Sequence, residues 1–339
     1  MPQSAAATSA LPPLSVLELA LAEEGRSAHE ALAAVVSSAQ QARRLGFRRV
    51  WVAEHHRYRS VASVAPPVMS AHLAAKTSGI RIGSGGMLLG NHAPLVIAEQ
   101  FSTLAALHPD RIDLGIGRGP GTSDVDTVRA LRRGADQATH EEYRAGLLDL
   151  LEYLAHANEA RVLTGADTAP QPWLLSSSVA GAELAAELGL PLAFAHHVQP
   201  GNTLEALGRY RERFLPSRWC QTARVLVSVE TLCAPTEAEA AYLARPAQLV
   251  LAAVLTGQGV DAVLVPPAKA AAHSLDPEVE DRLARLRATQ AHGTPETVRR
   301  RLATIAAQTA ADELMLSTPV YDAEARTRSL ILVADASMT

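Results

Sequence analysis

Short apolar, β-branched segments alternate with longer stretches of helical periodicity along almost the whole chain, and this alternation constrains the fold more than any other feature. Strand-like runs stand at Leu14 to Leu19, Arg49 to Glu54, Ile80 to Leu88, Ile112 to Gly117, Trp173 to Ser176, Leu192 to Ala195, Val225 to Thr231 and Glu313 to Leu316. Between them lie helical patterns. Ala31, Leu32, Val35, Val36, Ala39 and Ala42 recur on one helix face, and Gly46 stops that helix. Further patterns cover about Pro66 to Lys76, Leu95 to Leu107, Tyr143 to Leu154, Val179 to Leu188, Leu204 to Phe214 and Pro295 to Ala307. Strand, helix, strand in repetition demands a parallel sheet, because each crossover returns the chain to the same end. Eight units in 339 residues fit a closed (β/α)8 TIM barrel better than an open doubly wound sheet. The stretch from about Asp261 to His292 reads as an excursion between the last units. The organisation expected is a loose N-terminal segment 1–13 and one barrel domain over 14–339.

Composition supports a folded chain and narrows its partners. With 48% apolar and 19% charged residues there is enough apolar surface to offset the ordering entropy. The net charge of -4 has no long single-sign run, so neither nucleic acid nor anionic lipid finds a concentrated field. No stretch is expected to reach the ~18 apolar residues of a membrane span. Two cysteines, Cys220 and Cys233, are too few for a disulfide framework, which points to a reducing cytoplasm. A small, weakly charged ligand is expected.

A parallel barrel carries its site at the carboxyl ends of the strands, where the connecting loops converge. That rule selects Glu54-His55-His56, Gly85-Gly86, Gly117-Arg118-Gly119 and Ser176-Ser177-Ser178. Consecutive side chains on a strand point to opposite faces, so the two histidines are poorly placed to share a metal ion, and no metal site is expected. One histidine facing the mouth could donate a hydrogen bond or move a proton. The glycines around Arg118 allow close approach of backbone to a ligand, and the guanidinium can grip an oxyanion; a solvated turn reads the same way. The serine triplet either caps the following helix or leaves that helix N-terminus open to a phosphate. Together, an arginine loop and a serine-capped helix after neighbouring strands can converge on one phosphate.

Trp51-Val52-Ala53-Glu54-His55-His56, Ile82-Gly83-Ser84-Gly85-Gly86-Met87-Leu88-Leu89, His92-Ala93-Pro94 and Ile112-Asp113-Leu114-Gly115-Ile116-Gly117-Arg118-Gly119 resemble, in order and spacing, the bacterial luciferase-like flavin-dependent monooxygenases. Similarity continues through Trp173 to Pro191 and through Gly293-Thr294-Pro295-Glu296 with Asp312-Glu313-Leu314. The resemblance implies a TIM barrel that binds reduced FMN or, in one branch, the deazaflavin F420. It implies His55 beside the flavin ring with Glu54 orienting it, and His56 pointing elsewhere. It implies Gly85 and Gly86 under the isoalloxazine, often joined by a non-proline cis peptide. Arg118 and Ser178 would share the FMN phosphate, with backbone at Gly181 a further contact. No residue between Pro120 and Glu142 is carried over.

On that resemblance, FMN reduced by a separate flavin reductase reacts with O2 to a C4a-(hydro)peroxide, which oxygenates a small organic substrate. Relatives commonly form homodimers. An F420-dependent oxidoreductase on the same barrel and a non-catalytic flavin-binding protein are the rivals.

Overall fold

A computed structural model describes residues 11–62, 65–156, 159, 162 and 168–338. Most of the expected N-terminal segment, residues 1–10, lies outside the described residues. The elements run β1 (Leu14–Glu18), α1 (Ala28–Arg44), β2 (Arg49–Val52), α2 (Pro66–Lys76), β3 (Arg81–Leu88), α3 (Pro94–Leu107), β4 (Ile112–Gly117), α4 (Val125–Leu131), α5 (His140–Ala155), β5 (Gln171–Ser176), α6 (Val179–Glu187), β6 (Leu192–Phe194) and α7 (Thr203–Arg213). They continue as β7 (Val225–Cys233), α8 (Glu237–Leu255), α9 (Pro267–Ala271), α10 (Pro277–Arg287), β8 (Ala291–Gly293), α11 (Pro295–Thr309), β9 (Glu313–Ser317) and α12 (Ala323–Met338).

Local signals set many of these boundaries. Ser27 caps α1 in a reciprocal capping box with Glu30, and Gly46 follows the helix at φ +79°, a conformation that costs a residue with a Cβ. Prolines open α2, α3, α10 and α11, where the first helical N–H has no intrahelical partner to lose.

The strands close in the order β6-β5-β4-β3-β2-β1-β9-β7, and β7 pairs back to β6; every pairing is parallel. The expected eight-stranded (β/α)8 barrel is therefore the fold, and its strands coincide with the eight apolar runs. The ninth strand, β8, is three residues long and pairs only with the carboxyl-terminal extension of β7, at Thr231 to Cys233. It ends the excursion, whose interior forms α9 and α10.

Alternation along each strand divides two interiors. Val16, Val50, Val52, Ile82, Ile112, Leu114, Leu174, Val227 and Leu314 face outward into the core shared with the helices. Leu17, Trp51, Trp173, Ala193, Leu226 and Met315 face the lumen, where Trp51 and Trp173 meet edge to face at 5.7 Å. Below them, at the amino ends of the strands, lies a buried ionic plug. Arg49 donates to Glu313 from Nε at 2.7 Å and from Nη2 at 3.0 Å, and to Asp113 from Nη1 at 2.7 Å. Asp113 also accepts from Trp51 Nε1 at 3.0 Å and from Arg81 Nη2 at 2.7 Å. The Arg49 guanidinium lies 4.8 Å from the centre of the Trp173 ring.

One expectation requires correction. The helix α8 has 19 residues, and an 18-residue window of it has a mean hydropathy of 1.2, so by length and composition one helix among the described residues does reach the range of a membrane span. The sequence pattern marked no helix there, because Arg245 and Pro246 interrupt the apolar run. Ala247, Val250, Leu251 and Val254 of this helix line the second cavity described below.

Replacing Arg49 with Met strips Asp113 and Glu313 of a buried counter-charge. The expected loss is about 3–5 kcal/mol in urea unfolding, whereas Arg144→Met, which breaks an exposed pair with Glu187, should cost less than about 1 kcal/mol.

Candidate active site

The carboxyl ends of the strands open onto a cavity of about 280 Å³. Its wall gathers His55 from the segment after β2, Gly85 and Gly86 from β3, Gly117 to Gly119 from the end of β4, and Ser176 and Ser177 from the end of β5. Segments that are far apart in the chain thus meet at one rim, as the barrel rule requires.

The floor is built for close approach. A Cβ on Gly85 would stand 2.8 Å from Leu17 Cδ1 and 3.0 Å from Trp51 Cβ, and one on Gly86 would stand 3.0 Å from Leu175 Cδ2 and 3.1 Å from the Gly115 carbonyl. Only glycine fits both positions without displacing the lumen side chains. The Gly85–Gly86 peptide is cis.

His55 is set by burial. Its Nδ1 is buried with no hydrogen-bond partner among the described residues. Burial lowers its pKa and the neighbouring His56 lowers it further, while Glu54 pulls the other way. The net shift favours the neutral ring. His56 turns away, as expected, and its Nε2 lies 2.7 Å from Glu54 Oε1.

Glu54 makes no hydrogen bond to His55 among the described residues, so any orienting effect passes through the backbone that it fixes. Its Oε1 also meets His92 Nε2 at 2.8 Å, and its Oε2 accepts from the Leu88 N–H at 2.8 Å. The carboxylate therefore ties the end of β2 to the end of β3 and fixes the residues that flank His55. Burial by itself would raise its pKa, but the hydrogen bonds from His56, His92 and Leu88 outweigh burial and bring it down to about 2. Adjacency in the sequence suggested the wrong partner because His55 and Glu54 project to opposite sides of an extended segment.

Arg118 is exposed at the mouth, and its Nη1 is 3.1 Å from Nδ1 of His140, the first residue of α5. The serine triplet divides its tasks. Ser178 caps α6, accepting from the Gly181 N–H at 3.2 Å, and a Cβ on Gly181 would fall 2.1 Å from Ser176 Oγ. The Gly181 N–H is thus already engaged, and neither Ser178 nor Gly181 lines the cavity. Ser176 and Ser177 do, alongside Arg118. Sequence reasoning also passed over His197 and Ser228, which line the same cavity. The signal was present, since His196-His197 follows the β6 strand just as His55-His56 follows β2.

A second cavity of about 310 Å³ adjoins the first, with Leu19 and His55 common to both walls. Ala247, Val250, Leu251 and Val254 of α8, with Leu264 and Leu283 from the excursion, make it largely apolar.

The family model described as luciferase-like monooxygenase matches residues 14–313, and the chain belongs to that family. A luciferase-like monooxygenase of Escherichia coli (strain K12) is 38% identical over 323 residues, covering 95% of this chain and 96% of its own. The crystal structure of apo-MsnO8 superposes with a TM-score of 0.87 at 37% identity, covering 97% of this chain and 98% of that one. At 19% identity the fold alone is shared with the oxygenating constituent of 3,6-diketocamphane monooxygenase from Pseudomonas putida in complex with FMN (TM-score 0.70, 96% and 98% covered). At 13% identity it is shared with an F420-dependent secondary alcohol dehydrogenase (TM-score 0.66, 95% and 99% covered).

The Glu54 clamp carries a pH signature. Its carboxyl falls from 4.5 to about 2 on folding, so its contribution, on the order of 3 kcal/mol, is fully present above pH 4.5 and is lost as pH falls toward 2. The stability gap between the native chain and Glu54→Gln, measured by denaturant titration, should shrink by about half or more between pH 7 and pH 3.

Proposed function

We propose that this chain is a flavin-dependent monooxygenase that uses reduced FMN and dioxygen to oxygenate a small organic substrate. The observation that carries the reading is the position of His55. Its neutral, unpartnered imidazole forms the partition between a glycine-floored cavity with a cation at its mouth and a second, apolar cavity. The residues of the first cavity fit FMN. Gly85 and Gly86 leave a flat floor for a ring, and Leu17, Trp51, Leu175 and Met315 give apolar walls. Arg118, Ser177 and the nearby amino end of α6 offer donors to a phosphate.

Reduced FMN, when bound, supplies the electrons with which dioxygen is activated. The chain's own part is binding, dryness and one proton. Arg118 holds the anionic tail at the solvent edge. The lumen side chains exclude water from the ring, which suppresses unproductive loss of the activated oxygen as hydrogen peroxide. His55 holds or moves a proton at its imidazole, whose pKa, lowered by burial, keeps the ring neutral and able to accept one at neutral pH. The apolar cavity beyond His55 admits the organic substrate. We further propose that a separate flavin reductase delivers the reduced cofactor.

His55→Ala should keep FMN affinity within about threefold but lose product formed per reduced flavin, with hydrogen peroxide appearing instead. Equal product yield in the variant rules out the role of His55. Arg118→Ala should weaken FMN binding by roughly 10- to 100-fold, the equivalent of one charge-assisted contact, and leave riboflavin binding unchanged. Both ligands weakened alike would exclude the phosphate contact. Tight binding of F420 with no binding of FMN would transfer the protein to the hydride-transferring branch.

A further inference from the structure

The two histidines after β6 behave differently. His196 Nδ1 lies 2.7 Å from Thr203 Oγ1, and its Nε2 is buried away from the cavity. His197 lines the cavity and is anchored to β7 twice. Its N–H donates to the Ser228 carbonyl at 3.2 Å, and its Nδ1 lies 2.6 Å from Ser228 Oγ. The direction of this last bond depends on where the single hydroxyl hydrogen of Ser228 points. Ser228 Oγ also lies 3.2 Å from the Phe194 carbonyl, which can only accept, and with the hydroxyl hydrogen placed there Ser228 Oγ accepts from His197. In that arrangement the hydrogen of His197 sits on Nδ1, and Nε2 carries a bare lone pair. That nitrogen has no hydrogen-bond partner among the described residues. Burial takes the His197 pKa down to about 4, against the pull of Glu230 and with the help of His196 and His55, so the ring is neutral at physiological pH.

Of the other polar side chains of the wall, Arg118 only donates, a serine hydroxyl can turn to either role, Glu54 already accepts from His56, His92 and Leu88, and no hydrogen bond among the described residues fixes which nitrogen of His55 carries its hydrogen. The His197 ring, by contrast, is tied by a hydrogen-bond relay running back into the barrel.

Resting on the FMN reading above, we propose that His197 is a specificity-determining residue that selects reduced over oxidised flavin, its Nε2 accepting an N–H that the ring carries only when reduced. Reduction places hydrogen on ring nitrogens that bear lone pairs in the oxidised form. A locked acceptor is attractive to the first and repulsive to the second. Ser228 is the positioning residue that holds the tautomer.

The test is the affinity of the purified chain for FMN and, anaerobically, for chemically reduced FMN, together with the midpoint potential of the bound flavin. The native chain should bind the reduced form roughly tenfold more tightly or better, raising the two-electron potential by about 30 mV per tenfold. His197→Leu should abolish the preference while leaving oxidised FMN bound at least as tightly, and Ser228→Ala should reduce it in part. His197→Asn, which can present an amide oxygen, should restore some of it. Should His197→Leu fail to fold, Ser228→Ala and His197→Asn read the same quantity. Equal affinity of the native chain for both redox forms, or a loss in His197→Leu that is equal for both, overturns the inference and leaves the FMN reading intact. Binding of neither form overturns both.

Discussion

Closure of eight parallel strands around a filled lumen is the constraint on which the rest of the molecule depends. A closed barrel has no free edge, but it must fill its interior or collapse. Here the filling is layered. Arg49 bridges Asp113 and Glu313 across the amino end and joins β2, β4 and β9, three strands that are not consecutive in the ring. Removing two carboxylates and the Arg49 guanidinium from water is unfavourable unless every charge finds a partner, and the bidentate geometry supplies those partners. Trp51 and Trp173 lie over the plug, and Trp51 also donates to Asp113. The amino end is thereby plugged, and the cavity opens at the carboxyl end.

The same layering explains why the floor of the cavity is glycine. Once Trp51 and Leu175 occupy the lumen beneath β3, no Cβ fits at Gly85 or Gly86, and the strand backbone itself becomes the surface that a ligand meets. Glu54 does at the carboxyl end what Arg49 does at the amino end. Its buried carboxylate, held near a pKa of about 2, gathers His56, His92 and the Leu88 N–H and locks the ends of β2 and β3 together. His55 emerges from this clamp against the edge of Tyr58, its Nδ1 without a hydrogen-bond partner among the described residues.

Much of the architecture was legible before any coordinates. The strand positions, the barrel, the capping of α1, the prolines opening helices and the four segments at the strand ends all follow from periodicity and turn chemistry, which are local. The errors are equally instructive. The resemblance pairs Glu54 with His55, whereas the Glu54 carboxylate meets His56 two residues on and, from the end of β3 and beyond, Leu88 and His92. The Ser178 hydroxyl caps α6 and takes up the Gly181 N–H, and it is Ser176 and Ser177 that line the cavity, a choice that depends on the twist of one turn. The helix α8 was missed because a proline and an arginine interrupt its apolar run, although its apolar face lines a cavity formed with the distant excursion.

By itself the sequence determined the order of elements, the parallel sheet and the candidate segments at its carboxyl edge, because each is encoded in the spacing of neighbouring residues. Only the tertiary structure decided which side chains of those segments share a cavity, which carboxylate serves which histidine, and that His197 is tied to Ser228. These depend on strand register and on hydrogen-bond direction between residues tens to hundreds of positions apart, such as His197 with Ser228 and Arg49 with Glu313, and no local pattern carries that information.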